Sequence, residues 1–364
     1  MTCRGAVGIR IFLAVLLAVM LAASGRAQEE LNVQLSPYSV LAESAQFDGW
    51  SKYRSGNFLV FADVTSAEAR RVLGELEAIV SVCDRLLPPA ELPQGSPIVI
   101  VLPSAASEWR QLESKTGYEW KVAASVIDAK PTGLITVTYD WQRAGHGSLW
   151  SATAKALLGR RGQDGPFWFT MGFGNIFREA TFEAGHVILK DRGKEWAKLM
   201  RNGLWYQWGR FFEVDNFSPE FVSANGVERY LAQASMTTHF LLFEQPAATA
   251  GLKRWREAQK AGADPTRKNF EAAVGETLSV WGRRVWDYAT LSAQPHFAVP
   301  WDTAPFRVTE TGATAREMRE LFIIVQTLAG RDDAARQALL DLETRGPRPP
   351  DLQGLFDYAR KRPQ

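Results

Sequence analysis

The sequence has few of the residue types that build metal centres and disulfide scaffolds. Its 364 residues include only two cysteines and four histidines, namely Cys3, Cys83, His146, His186, His239 and His296. No two histidines have the i, i+4 spacing of H-E-x-x-H, in which two zinc ligands and a general base share one helix face. G-x-S-x-G and a Walker phosphate loop are also missing. These absences exclude the usual zinc peptidases, serine hydrolases, P-loop proteins and disulfide-rich domains.

The chain also lacks a clear excess of charge of one sign. It has 42 lysines and arginines against 40 aspartates and glutamates, which gives a net charge of +2. A protein that binds nucleic acid carries a basic excess or a basic patch, so we expect no nucleic-acid partner. Hydrophobic residues make up 46% and charged residues 23% of the chain, as in ordinary globular proteins, and this length favours two lobes.

A long hydrophobic run occurs once, near the N-terminus. Arg4 and Arg10 precede an apolar run at residues 11–23, and the tripeptide at residues 25–27 offers small residues to a signal peptidase. The run is shorter than the roughly 20 residues that span a bilayer. We therefore expect a signal peptide at residues 1–27, a periplasmic or secreted mature protein and no later transmembrane segment. Loss of this segment takes the net charge from +2 to −1.

Strand and helix patterns alternate in the first part of the mature chain. Short apolar runs predict strands at residues 57–62, 97–102, 123–127 and 134–139. Thr65 and Glu68 form a capping box in front of an amphipathic helix that Pro88 and Pro89 end. Cys83 lies on the apolar stripe of this helix, which indicates a buried structural thiol. The order of elements predicts a sheet with helices on one face.

Helical patterns dominate after residue 139. Apolar residues recur with a helical period at residues 148–159, 166–178, 193–202, 226–244, 266–290 and 313–330. The predicted fold class is therefore α+β: an N-terminal mixed β-sheet lobe with helices, a mainly helical lobe and a C-terminal helical appendix. We place their bounds at residues 28–142, 143–305 and 306–364.

A family resemblance rests on two neighbouring helical segments. Residues 166–177 read P-F-W-F-T-M-G-F-G-N-I-F. This resembles the glutamate helix P-x-W-L-N-E-G-L-A-E-Y-F of gluzincin-type, peptidase-MA-like zinc metallopeptidases secreted by bacteria. The tryptophan, glycine and phenylalanine of that motif match Trp168, Gly172 and Phe177. The glutamate that binds zinc in the family falls on Met171.

The second segment resembles the family's zinc helix, H-E-Y-T-H-x-L-L. In the best register its two histidines fall on Trp150 and Ala154, and its catalytic glutamate falls on Ser151. A shifted register would instead make His146 the first ligand, with the second on Trp150 and the base on Gly147. That register puts polar residues where the family has apolar ones, so we prefer the first.

The resemblance spans roughly residues 50–290 and implies a cleft without its usual chemistry. It implies that Tyr230 and His239, on a later helix, approach the cleft, and that the strand ending at Tyr139 borders it. Catalytic zinc needs three protein ligands, and hydrolysis needs a carboxylate that activates water. Since all four positions are substituted, we expect no metal, no cofactor and no catalysis. The implied function is binding of a polypeptide or another cell-envelope component in a degenerate cleft.

Two other functions remain open from the sequence. One is an active hydrolase with a non-standard site around His146, His239 and nearby carboxylates. The other is an aromatic-lined carbohydrate-binding protein. Its candidate rings are Trp196, Trp205, Tyr206, Trp208, Phe211 and Phe212.

Overall fold

The computed structural model of the chain describes most residues between 37 and 361. The described ranges are 37–87, 97–104, 107–115, 125–127, 134–136, 146–161, 166–189, 198–199, 202, 205–215, 218–222, 226–244, 251, 253–255, 257–258, 261–262, 267–291, 297–301, 306–328 and 333–361.

The described residues form the mixture of helix and sheet that the sequence predicts. The strands are β1 (Ser51–Arg54), β2 (Phe58–Ala62), β3 (Ile98–Leu102), β4 (Ser125–Ile127), β5 (Leu134–Thr136), β6 (Thr181–Glu183), β7 (His186–Leu189), β8 (Phe297–Pro300) and β9 (Thr309–Gly312). The helices are α1 (Pro37–Ser44), α2 (Ser66–Leu86), α3 (Glu108–Lys115), α4 (Gly147–Arg160), α5 (Phe167–Ile176), α6 (Trp208–Glu213), α7 (Pro219–Val222), α8 (Gly226–His239), α9 (Arg267–Val274), α10 (Leu278–Ala289), α11 (Ala315–Leu328), α12 (Asp333–Glu343) and α13 (Pro350–Lys361). A 3-10 turn (Phe177–Glu179) follows α5, and a π-helical turn (Phe240–Glu244) follows α8. The predicted α+β fold class is confirmed.

The main sheet is mixed and has the strand order β4-β5-β3-β2-β1-β9. Strands β2, β3 and β5 are parallel, and the other neighbours pair antiparallel. All residues of β2 and β3 are buried, which explains why both strands read as unbroken apolar runs. Phe58 and Val60 face one hydrophobic core, whereas Leu59 and Phe61 face a second core on the opposite side of the sheet.

Helices cover both faces of this sheet, so the prediction of helices on one face is wrong. Helix α2 packs on the first face, where its core joins that of α4, α5 and α8. Helices α1, α3, α11, α12 and α13 contribute to the core on the second face. Within the described ranges, no helix is both long enough and apolar enough to cross a membrane.

The C-terminal segment, which was predicted as a helical appendix, also contributes a strand to the N-terminal sheet. It opens with β9, which pairs antiparallel with β1 at the edge of the N-terminal sheet. The Lys52 ammonium on β1 lies 2.7 Å from a Glu317 oxygen on α11 and 2.8 Å from an Asp351 oxygen on α13. Strand β9 thus pairs with β1 and becomes the edge strand itself, while α11 and α13 cover the second face of the sheet.

The helical lobe contains a small sheet that the sequence patterns did not predict. Strands β6, β7 and β8 form it in that order, and they lie between the segments with predicted helical patterns. The helix predicted at residues 266–290 is also interrupted. Gly275 adopts a φ of +78°, which ends α9, and the Thr277 hydroxyl then caps α10 by accepting a hydrogen bond from the Val280 amide.

Helix α2 follows the predicted amphipathic pattern closely. The Thr65 hydroxyl accepts a hydrogen bond from the Glu68 amide at 3.3 Å, so the predicted N-cap is confirmed. Cys83 is fully buried on the apolar face of the helix, as predicted. Burial raises the pKa of its thiol to about 12.

We expect Cys83 to resist thiol reagents while the protein is folded. Residues 28–364 contain no other cysteine, so modification reports on this thiol alone. The thiolate is the reactive species, and its raised pKa and burial should slow modification at about pH 8 by about 1,000-fold or more relative to the unfolded chain. The measurement is the rate at which a dithiobis(nitrobenzoate) reagent releases thionitrobenzoate, compared between the folded protein and the protein unfolded in urea. Complete reaction of the folded protein at the rate of the unfolded chain would contradict this expectation.

Candidate functional site

Helices α4 and α5, which carry the two family-like segments, pack directly against each other. Gly174 allows their close approach. A Cβ atom at this position would lie 2.9 Å from the Ser151 carbonyl oxygen and 2.5 Å from Cγ of Lys155. The structure therefore brings the two segments together, as the resemblance requires.

The positions expected to correspond to zinc ligands carry side chains that pack in or against the hydrophobic core. Ala154 is fully buried within it, and half-buried Trp150 and Met171 pack against it. The Trp150 ring lies 4.9 Å from the Phe182 ring, measured between centroids. Among the described residues, no three His, Cys, Asp or Glu side chains form a group that could hold a metal ion. Ser151, at the expected base position, is half-buried and has no carboxylate to activate water.

His146, the alternative first ligand, is engaged by helix α2. Its Nδ1 lies 3.0 Å from a Glu75 carboxylate oxygen, and its Nε2 lies 3.3 Å from an Arg71 nitrogen. A guanidinium can only donate, so Nε2 accepts and Nδ1 donates to Glu75. Its ring also meets Trp150 edge-on, with 5.5 Å between the centroids. This arrangement orients the imidazole, but it turns the nitrogen that could act as a base toward a cation.

The partners of His146 were not found from the sequence. Glu75 and His146 are 71 positions apart, and only the packing of α2 on α4 brings them together. The available signal was the i, i+4 pair of Arg71 and Glu75 on one face of α2, whose charged groups lie 2.7 Å apart. Such pairs are common on solvated helices, so the pattern alone did not single out these two residues.

Lys155 is a second polar residue of this region that the sequence did not single out. It follows Ala154 on α4 and lies half-buried against α5. Burial, with a smaller contribution from the positive charge of Arg178, lowers the pKa of its ammonium group.

Tyr230 and His239, which the resemblance places at the cleft, are both buried. Tyr230 stacks on Phe167 at the start of α5, with ring centroids 5.4 Å apart, and burial raises the pKa of its phenol. His239 lies at the far end of α8, where its Nδ1 is 2.5 Å from the Tyr288 hydroxyl oxygen. Tyr230 therefore lies about one turn into α8, whereas His239 is the last residue of that helix. Tyr139 lies outside the described residues.

Helices α5 and α8 meet through small and polar residues. A Cβ atom on Gly172 would collide with the Ala234 carbonyl oxygen and the Thr238 hydroxyl. One turn away, the Asn175 amide donates a 2.9 Å hydrogen bond to the Ser235 hydroxyl. Asn175 occupies the position of a second glutamate in the family's helix, and here it ties two buried helices together.

The strand beside the expected cleft is an inner strand of the sheet. The described part of the predicted 134–139 strand is β5, which pairs with β3 on one side and β4 on the other. An added chain therefore cannot pair with these three residues. Within the described residues, the edge strand on this side is β4, and α4 contacts both β4 and β5.

The aromatic residues considered for carbohydrate binding mainly pack against one another. Tyr206, Phe211 and Phe212 are buried, and the rings of half-buried Trp205 and Trp208 lie 5.9 Å apart. Trp196 lies outside the described residues. A sugar-binding platform needs an exposed ring face, and the three buried rings do not offer one.

Comparison with known proteins leaves the family resemblance as a proposal. No protein-family model matches the chain, and no curated protein shows a significant match to its sequence.

Proposed function

We propose that this chain is an exported, catalytically inactive relative of gluzincin-type metallopeptidases that binds an extended polypeptide. The observation that carries this proposal is the packing of Trp150, Ala154 and Met171, three apolar residues at the expected ligand positions, in or against the core. Catalytic zinc needs three ligands with nitrogen, oxygen or thiolate donors, and these side chains supply none. The signal-like segment at residues 1–27 supports a site of action in the periplasm or outside the cell.

The proposed binding surface is the edge of β4 beside helix α4. Strand β4 pairs with β5 on one side, and among the described residues no strand pairs with its other side. An edge strand presents unpaired backbone N–H and C=O groups, which an extended peptide can use by adding a strand. This mode of binding needs no metal and no general base, so it survives the loss of both.

N-methylated peptides test this mode of binding. Peptides that bind residues 28–364 would first be selected from a random array. Each peptide would then be synthesised in two N-methylated forms, which carry the methyl groups on alternate backbone nitrogens in one phase or in the opposite phase. In an added strand, alternate N–H groups point toward the protein. We expect one phase to weaken binding by about tenfold or more and the other to change it by less than about twofold. Equal effects of the two phases, or no selected peptide at all, would refute strand addition.

We expect purified residues 28–364 to contain far less than one zinc ion per chain. The reason is the lack of nitrogen, oxygen or thiolate ligands at the three expected positions. Mass-spectrometric metal analysis after dialysis without a chelator makes the measurement. About one zinc per chain would contradict the proposal, since a stoichiometric ion needs a ligand set that these positions lack.

A further inference from the structure

The outer face of helix α10 carries a group of exposed apolar side chains. Five large hydrophobic residues are exposed within the described ranges, and three of them, Val280, Trp286 and Leu291, lie on α10 or directly after it. The Leu291 amide donates to the Tyr288 carbonyl, so the last turn of the helix continues to this residue. Single exposed apolar residues are ordinary, whereas several on one face indicate an interaction surface.

The opposite face of α10 fixes the direction of these side chains. Its buried residues are Leu278, Trp281, Gly282, Val285, Tyr288 and Ala289. The Trp281 ring packs against Phe240 and Phe270, with ring centroids 5.2 and 5.7 Å away. A Cβ atom on Gly282 would collide with the Trp208 indole, so α10 lies close against α6. Because the core holds the helix in this rotation, the three exposed side chains cannot turn inward.

Two charged residues lie between the apolar ones on the outer face. Arg283 and Asp287 are both exposed and are four positions apart. Neither side chain forms an ion pair with a described residue, whereas the neighbouring Arg284 pairs with Glu276. A basic residue before an acidic one is also the less favourable order for an i, i+4 pair within one helix. The face therefore carries one unpaired charge of each sign and no net charge.

This pattern is complementary to itself when two copies of α10 run antiparallel. With about 100° per residue, Arg283 and Asp287 lie at the middle of the face, Val280 and Leu291 on one flank and Trp286 on the other. A two-fold axis near residue 285 brings Arg283 of each copy opposite Asp287 of the other. The same axis brings Val280 opposite Leu291 to within one residue and places the two Trp286 rings side by side.

We propose that the chain forms a weak homodimer in which α10 packs antiparallel against α10 of a second copy. The helix has 12 residues and is about 18 Å long. A contact centred on one helix of this length belongs to the small interfaces below roughly 1,200 Å², which are typical of weak association. We expect a dissociation constant of about 10–100 μM. At low micromolar concentration the chain is then a monomer, and its fold does not depend on this contact.

Sedimentation equilibrium of residues 28–364 over a wide concentration range tests the dimer. We expect the weight-average mass to rise from that of one chain toward that of two, and Trp286→Ser to weaken association by about tenfold or more, since the ring occurs twice in the contact. Leu340→Ser is the matched control, because Leu340 is 43% exposed on α12, outside this face, and should leave association unchanged. A monomer at every concentration, or equal effects of the two substitutions, would overturn the proposal.

Charge reversal tests the antiparallel pairing itself. Arg283→Asp and Asp287→Arg should each weaken self-association by about tenfold or more, because like charges then face each other across the two-fold axis. An equimolar mixture of the two single variants should associate within about threefold of the unaltered protein, since each chain then offers the charge that the other lacks. Both positions are exposed, so folding is not at risk, and circular dichroism checks it. A mixture that stays monomeric would refute the pairing of Arg283 with Asp287 between copies.

Discussion

Gly172→Ala should destabilise the protein by about 3 kcal/mol, although alanine is the better helix former. Gly172 lies within α5, where a Cβ atom would collide with the Ala234 carbonyl oxygen and the Thr238 hydroxyl on α8. The carbonyl belongs to the helix backbone and cannot rotate away, so α5 and α8 must separate. Urea denaturation followed by far-ultraviolet circular dichroism measures the change in the free energy of unfolding.

Gly209→Ala is the matched control for this substitution. Gly209 also lies in a helix, α6, but a Cβ atom there would meet nothing within 4 Å. With no collision, the helix propensity of alanine should decide the result, and the variant should gain about 0.5–1 kcal/mol. If both variants changed stability in the same direction, the close approach of α5 and α8 would not be the cause.

Trp168→Ala should cost about 4 kcal/mol in the free energy of unfolding. Trp168 is fully buried in α5. The rings around it are Phe169, Phe211, Phe212, Trp255 and Phe270, with centroids between 5.7 and 6.3 Å away. Since these rings come from several parts of the helical lobe, removal of the indole leaves a cavity that they cannot fill. Urea denaturation followed by circular dichroism is suitable because it does not depend on tryptophan fluorescence.

Trp286→Ala provides the comparison at an exposed site. Trp286 lies on α10 and is 44% exposed, so its loss should change stability by less than about 0.5 kcal/mol. Trp168→Phe should be intermediate, because it leaves a smaller cavity and removes an indole N–H that has no hydrogen-bond partner. A Trp168→Ala cost as small as that of Trp286→Ala would place Trp168 at the surface.

The strands at the centre of the sheet could be predicted from the sequence to within one residue. Every residue of β2 and β3 is buried, so each strand is a continuous apolar run between turn signals. The opposite holds for β9, in which all four residues are exposed. Its sequence, T-E-T-G, shows no alternation, and its partner β1 lies more than 250 positions earlier. Nothing local distinguishes such a strand from a loop.

The candidate site also combines features that residue type determines with features that depend on where the side chains lie. At the three positions where the resemblance leads us to expect zinc ligands, residue type alone excludes zinc coordination by Trp150, Ala154 and Met171. The resemblance led us to expect that Tyr230 or His239 approaches the cleft, and both are buried on α8. The helix separates them by about 13 Å along its axis, since each residue advances a helix by about 1.5 Å.

By itself, the sequence determined which segments are buried and which chemistry is excluded, since burial follows local apolar periodicity and coordination follows residue type. Only the tertiary structure decided which charges are paired. Lys52 pairs with Glu317, which is 265 positions away, and His146 pairs with Glu75, which is 71 positions away. Nε of Arg319, in contrast, is buried without a hydrogen-bond partner. The physical reason is that an ion pair depends on a distance of a few ångströms between groups that the chain brings together only when helices and strands pack.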